Sequence, residues 1–230
     1  VGDPRRYFKY RVVFQGNRVK DQDGAAALFH DLASTPITLE SMRCADTYGA
    51  FPGHSIQTRD VEQAYIQADL KGPPVYVVLP QELWTEGMHK MRCPVVRLQR
   101  ALYGHKNSGV YWADYCREQL EQAHFKEIEG HPSVFWDDER KLLLTVYVDD
   151  MKLSGPEKHM AEAWAQISNK IKLAIPKGET GTGDHTFLGC TVKLFPKTVR
   201  GKTVNCISYD MSASMRKSIA KYEQSVFKAT

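Results

Sequence analysis

The sequence predicts an α+β fold built on antiparallel strands, and three observations carry that prediction. A long apolar strand, Leu142-Leu143-Leu144-Thr145-Val146-Tyr147-Val148, breaks at Asp149-Asp150 and resumes as Met151-Lys152-Leu153, the pattern of a hairpin. The apolar period turns helical where Val110, Ala113, Cys116, Leu120 and Ala123 recur along one face. It does so again at Met160, Trp164, Ile167 and Ile171. Hairpin strands mixed with helices define the α+β class.

Taken in order, Tyr10-Arg11-Val12-Val13-Phe14 reads as a strand running into a turn at Gly16-Asn17, and Asp21-Gln22-Asp23-Gly24 as a loop. Residues 38–50 space Leu39, Met42 and Ala45 as a weak helix. A short strand over 55–61 precedes a helical Ala64-Tyr65-Ile66. Lys71-Gly72-Pro73-Pro74 punctuates the chain before a β-rich run, Val75 to Leu79, that Pro80 stops. The helix over 110–125 ends before His131-Pro132; a strand Ser133-Val134-Phe135-Trp136 and a turn Asp137-Asp138-Glu139-Arg140 follow. Pro156 suits a first helical position. Gly178 to Gly183 is a Gly-rich loop, Thr186 to Val192 a strand, and Ser212 to Phe227 a basic helix. There is no internal repeat and no low-complexity tract.

Composition narrows the class. With 42% apolar and 25% charged residues over 230 positions, the chain matches ordinary globular proteins, and no apolar run approaches the ~18 residues of a membrane span. Val1-Gly2-Asp3-Pro4-Arg5-Arg6 holds no signal core, and the absence of an initiator Met leads us to expect a piece of something longer. Five cysteines without a CxxC pair argue against a disulfide framework and a zinc module, and for a reducing, cytoplasmic setting. Charge is distributed unevenly: residues 1–20 carry six Lys/Arg against Asp3, and residues 193–230 eight against Asp210 and Glu223, so the total of +4 leaves the middle acidic. Basic ends around an acidic centre suit a polyanion held at the flanks and cations held between; an unevenly solvated surface reads the same way.

The chemistry concentrates at Asp149-Asp150. Adjacent acids at a hairpin tip are good turn formers, and that reading stays open. On a buried strand, however, two like charges aimed at one point call for a cation, and Asp60, ending a second strand, is the natural third ligand if the strands pair. Three hard oxygen donors suit Mg²⁺ or Mn²⁺. GxGxxG, Walker, HExxH and GxSxG signatures are missing, and the histidines lack ligand spacing.

Tyr147-Val148-Asp149-Asp150 resembles the YVDD box of reverse transcriptases, and its surroundings resemble the copia-type enzymes of LTR retrotransposons. Their D-V-K-T-A-F-L-N-G-D-L is similar to Asp60-Val61-Glu62-Gln63-Ala64-Tyr65-Ile66-Gln67-Ala68-Asp69-Leu70, and V-Y-M-x-x-P to Val75-Tyr76-Val77-Val78-Leu79-Pro80. L-x-x-S-L-Y-G-L-K resembles Leu98-Gln99-Arg100-Ala101-Leu102-Tyr103-Gly104-His105-Lys106, F-L-G resembles Phe187-Leu188-Gly189, and K-A-R-L-V-A-R-G resembles Lys9 to Gly16. These matches run in family order over roughly residues 9–189.

The resemblance implies a right-hand polymerase fold with an antiparallel palm sheet packed on helices. Fingers are expected over 1–35 and 71–103, palm over 36–70 and 104–195, and the start of a truncated thumb over 196–230. It implies RNA- and DNA-directed DNA synthesis from dNTPs on a template-primer, with two Mg²⁺ (Mn²⁺ as substitute) held by Asp60, Asp149, Asp150 and the Val61 carbonyl. Lys9 and Arg11 would grip the triphosphate, Tyr65 would exclude a ribose 2′-hydroxyl, and Tyr103, Gly104 and Lys106 would line the nucleotide pocket. Phe187, Leu188 and Gly189 would form the primer grip. The expected partners include the integrase and RNase H of the same Pol polyprotein and no membrane; the cytoplasm or a virus-like particle is the expected location. Three departures stand out: Asn107-Ser108-Gly109-Val110 replaces the family's Q-A-P-R, Gln15 its Arg, and Ala68 its Gly. Truncation and the altered Asn107-Ser108-Gly109 segment motivate a second reading, a remnant that binds nucleic acid without polymerising, against which the intact Asp60, Asp149 and Asp150 count. A third, a metal-dependent nuclease, shares the carboxylates but does not explain Tyr65 or the primer-grip resemblance.

Overall fold

The computed structural model describes residues 12–21, 23–25, 37–174 and 185–227. Its elements in chain order are α1 (Leu39–Gly49), β1 (His54–Asp60), α2 (Ala64–Gln67), β2 (Tyr76–Val78), β3 (Val95–Arg97) and α3 (Ser108–Gln122). Next come β4 (Lys126–Glu127), β5 (Val134–Asp137), β6 (Leu142–Tyr147), β7 (Asp150–Pro156) and α4 (Glu157–Ser168). Last are β8 (His185–Phe187), β9 (Cys190–Val199), β10 (Lys202–Asp210) and α5 (Ser212–Phe227). The α+β class and its antiparallel strands are as the sequence predicts. The chain divides into two compact units, one of Val1–Ser34 with Gln63–Cys116 and one of Thr35–Glu62 with Arg117–Thr230. Among the described residues no helix is long and apolar enough to cross a membrane.

The second unit is organised by a five-stranded sheet of order β1-β7-β6-β5-β4, antiparallel at every step. Leu142 to Val146 in β6 are all buried, which is why that strand reads as an apolar run; Met151 to Gly155 in β7 are buried as well, although Lys152 and Ser154 alternate there with Met151 and Leu153. Helices cover both faces. Behind the sheet lies α4, whose Met160, Trp164 and Ile167 are buried; the Trp164 indole Nε1–H donates to Gln57 Oε1 at 2.9 Å, and the Arg59 guanidinium lies 4.8 Å from the ring centroid. The opposite face takes α1, whose Ala45 packs with Val134 and Leu143. Thr38 starts α1 by accepting the Ser41 N–H on its hydroxyl at 3.2 Å, an N-cap that fits the weak apolar periodicity there. Pro156 ends β7 and caps α4 from outside, one position before the expected helical slot. The turn from Asp137 to Arg140 is closed by a buried ion pair between those two residues.

A separate three-stranded sheet, β10-β9-β8, departs from expectation. The strand expected over 186–192 is two strands joined at Leu188-Gly189, whose φ values of 50° and 76° form a left-handed two-residue turn closed by the Phe187–Cys190 pair. A second such turn at Arg200-Gly201, with φ of 51° and 75°, joins β9 to β10. The basic helix α5 covers the expected span. The Gly-rich loop of 178–183 lies outside the described residues.

In the first unit, β2 and β3 form a short ladder from the Tyr76–Arg97 pair to the Val78–Val95 pair. Ala68, Ala101 and Tyr111 form its core, with Tyr65, Leu70 and Tyr115 packed against them. Val12 to Gln15 is irregular and runs into a 3-10 turn at Gly16–Arg18, where a strand was expected. That segment is fastened instead by the Phe14 N–H, which donates to the Tyr103 carbonyl at 2.7 Å.

Candidate active site

The β6–β7 connection is a two-residue turn, Val148-Asp149, closed by the Tyr147–Asp150 pair. Val148 has φ 55°, a left-handed conformation that strains a β-branched residue by about 1–3 kcal/mol. Buried strands on both sides hold it, and the Asp149 carbonyl accepts the Val61 N–H at 2.6 Å. Asp60 sits directly opposite Asp150 in the β1–β7 register, so the last residue of one strand faces the first of its neighbour. Their backbones pair antiparallel there, which sets the two acids side by side at the sheet's end. Burial, then the charges of Asp149 and Asp60, push the Asp150 carboxyl from 3.8 up to about 6.

The chain beyond Asp60 is pinned by a third segment. Ala174 N–H donates to the Asp60 carbonyl at 2.8 Å, Glu62 N–H to the Lys172 carbonyl at 2.9 Å, and Val61 bridges Leu173. Asp60, Val61, Asp149 and Asp150 are therefore gathered at one end of the sheet, although Asp149 lies 89 positions after Asp60 in the sequence.

Among the described residues, no group of three or more His, Cys, Asp or Glu side chains is arranged to hold a metal ion. The donor chemistry still fits a hard cation. Two acids facing each other across adjacent strands, with a third beside them, present the like charges that a divalent ion offsets. Mg²⁺ is commonly held by one or two carboxylates and completed by water and substrate phosphate, so a closed protein cage is not required.

The other expected site residues fall into separate groups. Tyr65 and Tyr103 stack in the first unit with ring centroids 4.6 Å apart. Gly104 adopts φ +91°, and a Cβ there would stand 2.0 Å from the Phe14 carbonyl oxygen, so only glycine lets the two segments meet. Lys106 is exposed; Lys9 and Arg11 lie outside the described residues. The departure at Asn107 to Gly109 has a structural use: the Ser108 hydroxyl donates to the Leu102 carbonyl at 2.8 Å and accepts its N–H at 3.0 Å, clamping the segment that leads into Tyr103-Gly104. In the second unit, Phe187 is buried and Leu188 exposed at the tip of its turn. Sequence reasoning missed the Lys172 to Ala174 backbone, which carries no side-chain signal. It also missed Lys152, whose signal was present: a lysine inside an apolar strand.

The reverse transcriptase (RNA-dependent DNA polymerase) family profile matches residues 4–193. The chain is similar to Gag-Pol polyproteins of Saccharomyces cerevisiae transposons. Identity is 30% over 141 residues with that of Ty1-BR (58% of this chain, 7% of that protein). It is 34% over 95 residues with Ty1-NL2 (41% and 5%) and 33% over 115 residues with Ty1-MR1 (50% and 6%). The matched segment thus spans less than a tenth of each of these relatives.

Proposed function

This chain belongs to the reverse transcriptase (RNA-dependent DNA polymerase) family, in its copia-type branch, and from that premise we propose that it carries the polymerase centre of a Pol polyprotein. The reaction is extension of a primer 3′-hydroxyl with dNTPs on an RNA or DNA template. The observation that carries this reading is the facing pair of Asp60 and Asp150 in adjacent strands, beside Asp149 at the strained turn.

Residues 36–70 and 104–195 serve as the palm, 1–35 and 71–103 as the fingers, and 196–230 as the start of the thumb. Asp60, Asp149 and Asp150, with the Val61 carbonyl, would hold two Mg²⁺ ions. When bound, these supply activation of the primer hydroxyl and neutralisation of the triphosphate. The chain's own groups bind and orient. Arg11, aided by Lys9, forks onto the triphosphate oxygens, and Tyr103, Gly104 and Lys106 line the nucleotide pocket. The Tyr65 ring backs the sugar, and Phe187-Leu188-Gly189 holds the primer end. Integrase and RNase H of the same polyprotein are the proposed neighbours, in the cytoplasm or a virus-like particle.

Primer extension on a homopolymer RNA template with Mg²⁺ tests the reading. Extension by the parent that Asp149→Asn abolishes is expected. Tight template-primer binding with no extension in Mg²⁺ or Mn²⁺ would instead identify a remnant that binds nucleic acid, and cleavage without extension a nuclease.

A further inference from the structure

We propose that the buried Lys152–Asp46 ion pair is a positioning device that fixes the Phe187–Gly189 hairpin relative to the strand beginning at Asp150; this rests on the polymerase reading of that hairpin and strand. The side chains of Lys152 in β7 and Asp46 in α1 are 1% and 2% exposed, with Nζ 2.6 Å from Oδ1. Removing two charges from water costs as much as their attraction returns, and well-packed apolar residues of similar size stabilise such a site as well or better. Stability alone therefore does not explain the pair. What a charged, hydrogen-bonded pair adds over apolar packing is direction.

Both charges reach into the three-stranded sheet. The Lys152 ammonium lies 4.4 Å from the centroid of the Phe187 ring in β8. The second Asp46 oxygen, Oδ2, accepts the Tyr209 hydroxyl of β10 at 3.2 Å. Arg43, one turn before Asp46 in α1, places its guanidinium 5.6 Å from the Tyr209 ring centroid. The two outer strands of that sheet are thus tied to one ion pair, while Leu188 at the hairpin tip stays exposed. Lys152 is two residues along β7 from Asp150, on the same face and roughly 7 Å away. A slide of the hairpin relative to the carboxylates must pull the Phe187 ring from the ammonium or the Tyr209 hydroxyl from Asp46. An apolar contact would allow the same slide with little resistance.

The test is the double variant Asp46→Leu/Lys152→Met in the full chain, which keeps the branching and approximate length of both side chains and leaves no orphaned charge. Primer extension is measured beside amide exchange of the hairpin. The expected result is a folded protein with parental template-primer affinity and parental dNTP KM, kcat at least tenfold lower, and hairpin amides at 187–191 exchanging at least tenfold faster, with β6 unchanged. Tyr209→Phe, which removes one hydroxyl, should shift kcat and exchange the same way by about threefold, and it decides the matter if the double variant does not fold. Parental kcat with parental hairpin exchange overturns the proposal, as does a uniform loss of primer and nucleotide affinity, the mark of general loosening. A parent that extends no primer defeats the polymerase reading instead, and hairpin exchange alone then decides the positioning claim.

Discussion

Replacing Asp150 by Asn should stabilise the metal-free chain at neutral pH, against the usual direction for a substitution in a packed strand. The Asp150 carboxyl is pushed from 3.8 to about 6 by burial and by its acidic neighbours. At ~1.4 kcal/mol per pH unit, that displacement sets a ceiling of ~3 kcal/mol. The group is only half buried, so solvent screening cuts the expected effect to ~1 kcal/mol. The sign follows from proton linkage. The folded state holds this proton more tightly than the unfolded state, so the parent loses stability as pH rises from about 4 to 6, and the full penalty persists above. The Asp150→Asn amide keeps the size and shape of the side chain and carries no charge. Urea unfolding in chelator should show parent and variant alike at pH 4 and the variant ahead by ~1 kcal/mol at pH 8. Mg²⁺ should close the gap by stabilising the parent alone. A variant no more stable than its parent at pH 8 without divalent ions would refute the packed-carboxylate argument.

Tyr65→Ala should admit ribonucleotides far better than the parent, read as the ratio of kcat/KM for deoxy- over ribonucleotide, while Tyr65→Phe keeps the ratio. An unchanged ratio in a folded, active Tyr65→Ala chain would make Tyr65 a packing partner of Tyr103 and nothing more. Template-primer affinity should fall steeply between low and moderate salt if the basic ends contact phosphates, and a flat response in a filter-binding titration would reject that role. Gly104→Ala should destabilise the chain by about 2 kcal/mol or more in urea unfolding, because its Cβ meets the Phe14 carbonyl in a left-handed conformation.

What was legible in the sequence was what local pattern encodes. The apolar run before Asp149-Asp150 marks β6 because burial on both faces removes any need for alternation. Trp164 and its neighbours mark α4 because one face alone is covered. The facing of Asp60 and Asp150 was accessible only through the conditional pairing of two strands, since nothing near either residue specifies a partner so distant in sequence. The β9–β10 ribbon escaped notice for the opposite reason. Lys193, Lys197 and Lys202 alternate with residues that stay largely exposed, so no buried face imprints a period. The split of 186–192 rests on Leu188 adopting a left-handed conformation beside Gly189, which residue preferences do not foretell. Lys152 was visible but mute: its meaning depends on Asp46 and Tyr209, each from another element.

β1 and β7 are neighbours in the sheet, yet residues 63–116 are strung between them. At a synthesis rate of roughly 5–20 residues per second, Asp150 leaves the ribosome roughly 5–20 s after Asp60. Throughout that interval β1 waits without its strand partner, while the intervening segment has ample time to collapse and order itself, since helices and hairpins form in microseconds. The acids therefore meet late in the chain's biogenesis, and a ribosome that stalls between them leaves an unsatisfied strand edge, a substrate for chaperones, in place of an assembled acidic cluster.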